Sequence, residues 1–326
     1  MRILIWHVHA AWTSAFVAGG HDYLVPVLPD RGPLGRGRAR TYDWPTNVVE
    51  VTPEQLATAD VDAVILQRPE EETLARQWLG RDVPTVFVEH NTPKGDVPLT
   101  RHPMADRDDL LLVHVTHFNA LMWDCGRTPT RVIEHGVAVP GPQWTGELPR
   151  LAVVTNEPVR RGRVTGTDLI QRFTQVAPVD VFGIGVTGLA APGITVYEDP
   201  DQPTMHAELA RRRVYLHLPR WTSLGLSLIE AMHMGCPVVA VAATEVPLVV
   251  PATAGAVSAD PDALVEAAGR LLHDPGAAAR AGAIAKAAAR RFTLDRFLAD
   301  WDALLDEVTS SARPRHHHHA DRGMAA

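Results

Sequence analysis

Short runs of β-branched and leucine residues alternate with helical patterns along nearly the whole chain. That alternation is the sequence form of parallel sheets covered by helices on both faces. In the first half, strands are expected at Ile3–Val8, Tyr23–Val27, Ala63–Gln67, Thr85–Val88, Leu111–Val115 and Arg131–Ile133. Helical patterns fall at Pro53–Thr58, Glu71–Leu79 and His117–Asp124, and Asp30–Pro45, rich in Gly, Pro and Arg, reads as a long, mobile loop. Pro140, Gly141, Pro142, Gly146 and Pro149 then interrupt the pattern. It restarts with strands at Leu151–Thr155, Asp180–Phe182, Ile194–Tyr197, Val214–Leu218 and Val238–Ala242. The helices of this half are expected at Thr167–Val176, Pro203–Arg211, Leu224–His233, Pro261–Leu272, Ala277–Arg291 and Leu294–Val308.

With 326 residues the chain is longer than one hydrophobic core usually serves, so the restart reads as a second domain. The expectation is two Rossmann-like α/β domains, residues 1–145 and 146–292, facing each other across a cleft that receives the carboxyl ends of both sets of strands. A closing helical segment, 293–312, follows, and the tail 313–326 with His316–His319 is read as a disordered low-complexity end or an engineered scar. The net charge of −7 argues against a general electrostatic grip on nucleic acid or an anionic membrane. Cys125 and Cys236 can form neither a disulfide framework nor a four-ligand zinc site. No secretory signal or membrane span is visible, and a reduced cytoplasm is the expected compartment.

Chemistry concentrates in Trp221-Thr-Ser-Leu-Gly-Leu-Ser-Leu-Ile-Glu-Ala-Met-His-Met-Gly-Cys-Pro-Val-Val-Ala240. Thr222 or Ser223 can cap a helix that Gly235 and Pro237 stop. The free amides of its first turn, around Leu224, Gly225, Leu226 and Ser227, form an anion site. Glu230 shares the face of Leu226 and Ser227, one turn further on, where a carboxylate can accept both hydroxyls of a ribose. The alternative is a helix packed on a strand with Glu230 merely exposed.

Gly225–Met232 followed by Gly235-Cys-Pro-Val-Val-Ala240 resembles the donor-binding signature of family 4 glycosyltransferases. The resemblance implies the GT-B fold, a nucleotide-diphosphate sugar as donor, transfer with retention and no metal cofactor. Of the two glutamates in that signature, Glu230 matches the second, which binds the ribose, while Thr222 replaces the first, which contacts the donor sugar. Asn156–Leu169 is similar to the family's diphosphate-gripping turn, with Thr165 where lysine is expected and Arg160, Arg161 and Arg163 as substitute charges. His90, after the Thr85–Val88 run, resembles the histidine placed near the reacting sugar, and is the candidate catalytic residue. Val132–Val137 resembles the end of the first domain, with His135 where asparagine is commoner, and the last helix is implied to return to that domain. The loop His7–Thr13, with His9, Trp12 and Thr13, is expected to line the side of an unidentified acceptor, whether glycan, lipid or small molecule. A non-catalytic relative that binds a nucleotide sugar or a partner, or a nucleotide-sugar epimerase on the same fold, are the alternatives.

Three other signals are weaker. Gly183-Ile-Gly185-Val-Thr-Gly188 fits a dinucleotide fingerprint, but another strand follows where a helix should open. Asp106-Arg-Asp108 precedes a strand instead of ending one. Neither His7 with His9 nor His114 with His117 has a sequence-local carboxylate or cysteine to complete a metal site.

Overall fold

Residues 1–40 and 42–312 are described in a computed structural model; the His316–His319 run lies outside them. The first half contains β1 (Arg2–Ile5), α1 (Ala10–Phe16), β2 (Asp22–Pro26), β3 (Val48–Val51), α2 (Pro53–Leu56), β4 (Ala63–Leu66) and α3 (Pro69–Leu79). It continues with β5 (Thr85–Glu89), β6 (Leu111–His114), α4 (His117–Met122) and β7 (Thr130–Val132). The second half contains β8 (Leu148–Val154), α5 (Pro158–Arg161), α6 (Thr167–Phe173), β9 (Val179–Gly183), β10 (Ile194–Glu198), α7 (Gln202–Arg211) and β11 (Arg212–His217). After these come α8 (Leu226–Met234), β12 (Val238–Val241), α9 (Val246–Val249), β13 (Gly255–Ser258), α10 (Pro261–His273), α11 (Pro275–Ala289) and α12 (Leu294–Ala312).

The seven strands of the first sheet run in the order β3-β2-β1-β4-β5-β6-β7, and the six of the second in the order β10-β9-β8-β11-β12-β13. All named pairings are parallel, from β1 with β4 to β8 with β11. In each sheet the winding reverses beside its first strand, between β1 and β4 and between β8 and β11, and the crevice beyond such a reversal is where ligands bind.

Four segments matter most where the structure departs from the sequence reading. Val48–Val51 and Gly255–Ser258 are edge strands, too short and too interrupted to stand out as apolar runs. The segment after β1 is not a loop: Ala10–Phe16 is a helix, whose Trp12, Thr13 and Phe16 are buried. The loop Asp30–Pro45 is tied down, because Arg38 donates to the carbonyls of Trp44 (2.6 Å), Pro45 (3.0 Å) and Val48.

Helix α12 lies on the first sheet, although the chain reaches it from the second. Phe297, Trp301, Leu304 and Leu305 enter the core of Ile3, Ile5, Trp12 and Phe16, and each buried side chain of this size contributes about 1.5–3 kcal/mol. Trp301 packs edge-on against Phe16 at 5.0 Å and Trp12 at 5.7 Å. Gly136 permits the approach, since a Cβ there would lie 2.2 Å from the Phe297 Cβ. Arg296 donates to the carbonyls of Glu134 (3.1 Å) and His135 (2.6 Å), so α12 fixes the turn that carries His135.

Candidate functional site

The second sheet builds one wall of the cleft. Beyond β8 and β11 two loops meet, the Arg220 amide donating to the Val164 carbonyl at 2.9 Å. Gly166 makes the meeting possible: its φ is +72°, and a Cβ would fall 2.0 Å from the Leu218 carbonyl oxygen. Here α8 starts at Gly225, which brings no capping side chain. A Cβ at Gly225 would press on His217 Cε1 at 2.9 Å. Ser223 and Leu224 are buried just before the helix, and Thr222 is half-buried. The Ser227 hydroxyl lies 3.1 Å from that of Tyr215. Glu230 is 7% exposed, not on an open face. Its Oε1 accepts from Gln202 Nε2 at 2.9 Å and its Oε2 lies 3.2 Å from His206 Nε2. Two contacts leave a carboxylate with room for further donors.

The three sequence-predicted arginines do not act alike. Arg160 is paired with Glu157, and Arg163 with Asp168 at 3.1 Å. Arg161 is half-buried and has no carboxylate partner among the described residues. Burial and the neighbouring Arg160 draw its pKa below the ordinary arginine value. Sequence reasoning missed Arg220, which grips Asp168 through two bonds of 2.6 and 2.9 Å and holds its carboxyl below the usual range. Thr165, at the expected lysine position, is buried and bonds the Gly162 carbonyl at 3.0 Å.

The opposite wall is the carboxyl edge of the first sheet. His9 follows β1, His90 follows β5 and His135 follows β7. The His9 and His90 rings lie 4.1 Å apart between centroids, and Trp12 meets His90 edge-on at 4.8 Å. Trp12 and Thr13 are therefore buried, Trp12 against His90, and are not lining residues as the loop reading expected. His90 is 9% exposed and its Nε2 has no hydrogen-bond partner. Burial, with His9 and His135 beside it, holds its pKa well below the usual histidine value. Glu89, the preceding residue, fixes the turn. It accepts from the Asn91 amide at 2.6 Å and from His102 Nε2 at 3.0 Å. His102 Nδ1 in turn accepts from the Met104 amide at 3.0 Å, which assigns the proton to Nε2.

The Gly183–Gly188 turn is closed to phosphate by the chain itself. Glu198 accepts from the amides of Gly185 (2.6 Å), Val186 (2.9 Å) and Thr187 (3.0 Å), filling the nest with a carboxylate. His117, Glu134 and Glu245 do bring ligand atoms within 4.8 Å of one another, a grouping invisible in sequence. Their atoms are engaged otherwise: Glu134 binds Arg291 at 2.9 Å, and Glu245 accepts from the amides of His117 and Phe118 at 3.3 and 2.7 Å.

The buried histidines set a pH dependence. Burial holds His114, His135 and His217 at about 4, below the value of about 6.5 in an unfolded chain. The folded state then carries fewer protons than the unfolded one between these limits, so stability is constant above pH 6.5 and falls as pH drops towards 4. From pH 7.5 to 5.5 the three together are expected to cost about 4 kcal/mol. Urea midpoints measured at the two values check this, and equal midpoints would contradict it.

Residues 185–274, from β10's approach through α10, match the family model described as Glycosyl transferases group 1. No curated protein matches the chain. Among solved structures, sucrose-phosphate synthase from Thermosynechococcus elongatus superposes with a TM-score of 0.73 at 13% identity, covering 96% of this chain and 100% of that one. HepE of Anabaena, in complex with UDP, gives 0.69 at 14% identity, covering 94% and 100%. A glycosyltransferase from Rickettsia africae gives 0.66 at 13% identity, covering 94% and 98%. The chain thus has the GT-B fold, two Rossmann-like domains around a cleft, and its α8 wall lies within a glycosyltransferase group 1 segment.

Proposed function

We propose that the chain is a glycosyltransferase that moves a sugar from a nucleotide-diphosphate donor to an acceptor, with retention and without a metal. The observation that carries this reading is the opposition of two unlike walls. One holds His90 with a buried, unpartnered Nε2. The other holds an uncapped helix start and, one turn on, the nearly buried Glu230. Solved neighbours of the same fold are bound to UDP or UDP-glucose, which supports a uridine nucleotide as the first donor to try.

In this reading the ribose hydroxyls donate to Glu230, and the diphosphate lies over the amides of Leu226 and Ser227. Arg161, the member of its turn without a carboxylate partner, balances the leaving charge. The acceptor oxygen attacks the anomeric carbon on the face the diphosphate leaves, and its proton passes to the departing phosphate oxygen. His90 Nε2 orients the sugar by hydrogen bonding, and no protein nucleophile is needed. Positioning and preorganised charge supply the acceleration. Among the described residues no helix is long and apolar enough to cross a membrane.

Glu230→Ala is expected to weaken UDP binding about 10- to 100-fold, the value of one charge-assisted hydrogen bond. Calorimetric titration with UDP checks it, and unchanged affinity would remove Glu230 from the ribose site. Thr222 and Thr165, in place of a glutamate and a lysine, favour one rival, a relative that binds the nucleotide sugar without turning it over. Incubation with UDP-glucose, UDP-N-acetylglucosamine and GDP-mannose, read by mass, separates them. Release of free nucleotide supports transfer chemistry. Binding without release supports the rival, and an isomeric nucleotide sugar points to epimerisation.

A further inference from the structure

We propose that the acceptor half carries a phosphate-binding cradle, so that the molecule receiving the sugar bears a phosphate group. The inference rests on the glycosyltransferase reading and adds the acceptor's chemical class. A cavity of about 440 Å³ opens among His7, Asp30, Arg31, Arg36, Arg38 and Arg40, a size ordinary for small-molecule sites. Four guanidinium groups around one cavity are unusual in a protein of net charge −7 with only 31 basic residues.

The cradle is built, not a loose charge run. The Leu28 amide donates to the Gly35 carbonyl (2.9 Å) and the Gly37 amide to the Pro26 carbonyl (3.0 Å). Trp6 Nε1 holds the Leu34 carbonyl at 3.1 Å, and Arg68 holds that of Pro33 at 2.9 Å. Glu50 binds the Arg31 guanidinium through two bonds of 2.9 Å and the Arg38 amide at 2.9 Å. Arg31 is thereby neutralised and aimed, and Arg38 is held by backbone carbonyls. Arg36 and Arg40 are exposed, and among the described residues their guanidinium groups have neither an ion pair nor a hydrogen bond. Setting Asp30 and Glu50 against the four arginines leaves two positive charges, the complement of a phosphate monoester dianion. Paired guanidinium forks suit phosphate geometry, and a bound dianion relieves the repulsion among like charges enclosed together.

Position ties the cradle to the reaction. His7 Nδ1 lies 3.2 Å from the Gly37 carbonyl, and the His7 ring packs edge-on to Trp44 at 5.0 Å. His7 stands two residues from His9, which stacks beside His90. Tyr42, on the same loop, packs against the core that includes Trp12, the ring beneath His90.

The test compares full-length protein with R36Q/R40Q by calorimetry, using glucose, glucose 6-phosphate and inorganic phosphate. A second arm uses phosphatidylcholine vesicles with and without phosphatidic acid. UDP affinity is measured on each protein, both as a check on folding and as an independent test of the donor site. The expected result is that glucose 6-phosphate binds at least tenfold more tightly than glucose, and that R36Q/R40Q loses at least tenfold of it. Phosphate-dependent binding confined to the vesicle arm and lost in R36Q/R40Q also supports the cradle and makes the acceptor's phosphate lipid-borne. No phosphate-dependent binding in either arm, or equal binding by R36Q/R40Q, overturns the proposal. Failure of the wild type to bind UDP strikes the glycosyltransferase reading instead, and the phosphate arms remain readable.

Discussion

His90→Ala is expected to lower kcat for nucleotide release from the donor about 10²- to 10³-fold, with UDP affinity changed less than about threefold. The asymmetry follows from position. His90 belongs to the first sheet, whereas the residues assigned to the nucleotide, Glu230 and the start of α8, belong to the second. The His90 ring is held by Trp12 and His9, and the turn that carries it by the Glu89 carboxylate. Its Nε2 is buried without a partner, an arrangement that costs free energy unless a ligand completes it. Because burial keeps the imidazole neutral at pH 7, one ring nitrogen can donate and the other accept. His90→Asn, which keeps a hydrogen-bonding side chain, is expected to recover part of the loss. Stopped-time assays of UDP release, paired with UDP titrations, check both variants. A kcat unaffected by His90→Ala would reduce His90 to a structural residue, and a parallel loss of UDP affinity would mean that the cleft wall itself had moved.

The parts of this molecule legible in sequence are those written in local patterns. Buried parallel strands announce themselves as apolar runs, and β4, β5 and β6 lie within a residue or so of where those runs fall. The α8 segment was legible because its stop and its glutamate are consecutive in the chain, although Gly225, and neither Thr222 nor Ser223, stands at its cap. Edge strands β3 and β13 were not, since an edge needs little apolar surface and Gly255 opens the second. Helix α1 was hidden because Trp12 and Phe16 bury against α12, almost three hundred residues away in sequence, and no local cap marks its start. The same holds for charge. Arg160, Arg161 and Arg163 look alike as a basic turn, yet Glu157 and Asp168 occupy two of them. Arg220 entered no sequence argument because its partner Asp168 lies 52 positions away. Glu198, which fills the amide nest after β9, could only be recognised once β9 and β10 were paired.

Glu245→Ala is expected to destabilise the protein by about 3 kcal/mol and to loosen one half from the other. Glu245 follows β12 in the second half and is 1% exposed. Its carboxylate serves the start of α4 in the first half: Oε2 accepts from the Phe118 amide at 2.7 Å and Oε1 from the His117 amide at 3.3 Å. Thr116 takes the next amide, that of Asn119, at 3.1 Å, and its hydroxyl lies 3.3 Å from that of Ser223. A six-residue helix cannot persist on its own, so α4 depends on an anion supplied across the cleft. Trp221 reinforces the junction, donating from Nε1 to the Pro93 carbonyl at 2.8 Å and packing edge-on to Phe118 at 5.5 Å. Alanine at 245 strands two amides that this charge satisfied, each charge-assisted bond being worth about 1.5–3 kcal/mol. Glu245→Gln keeps the shape and one acceptor oxygen, and is expected to fall between the two. Because Ser223 and Trp221 lie directly before α8, a loosened junction also misplaces the acceptor wall relative to the donor. The kcat of Glu245→Ala is therefore expected to fall at least tenfold while UDP affinity holds. Urea unfolding followed separately by tryptophan fluorescence and by UDP binding distinguishes loss of the junction from loss of the second domain. A Glu245→Ala protein with wild-type stability and wild-type kcat would show that the halves hold together without the Glu245 carboxylate.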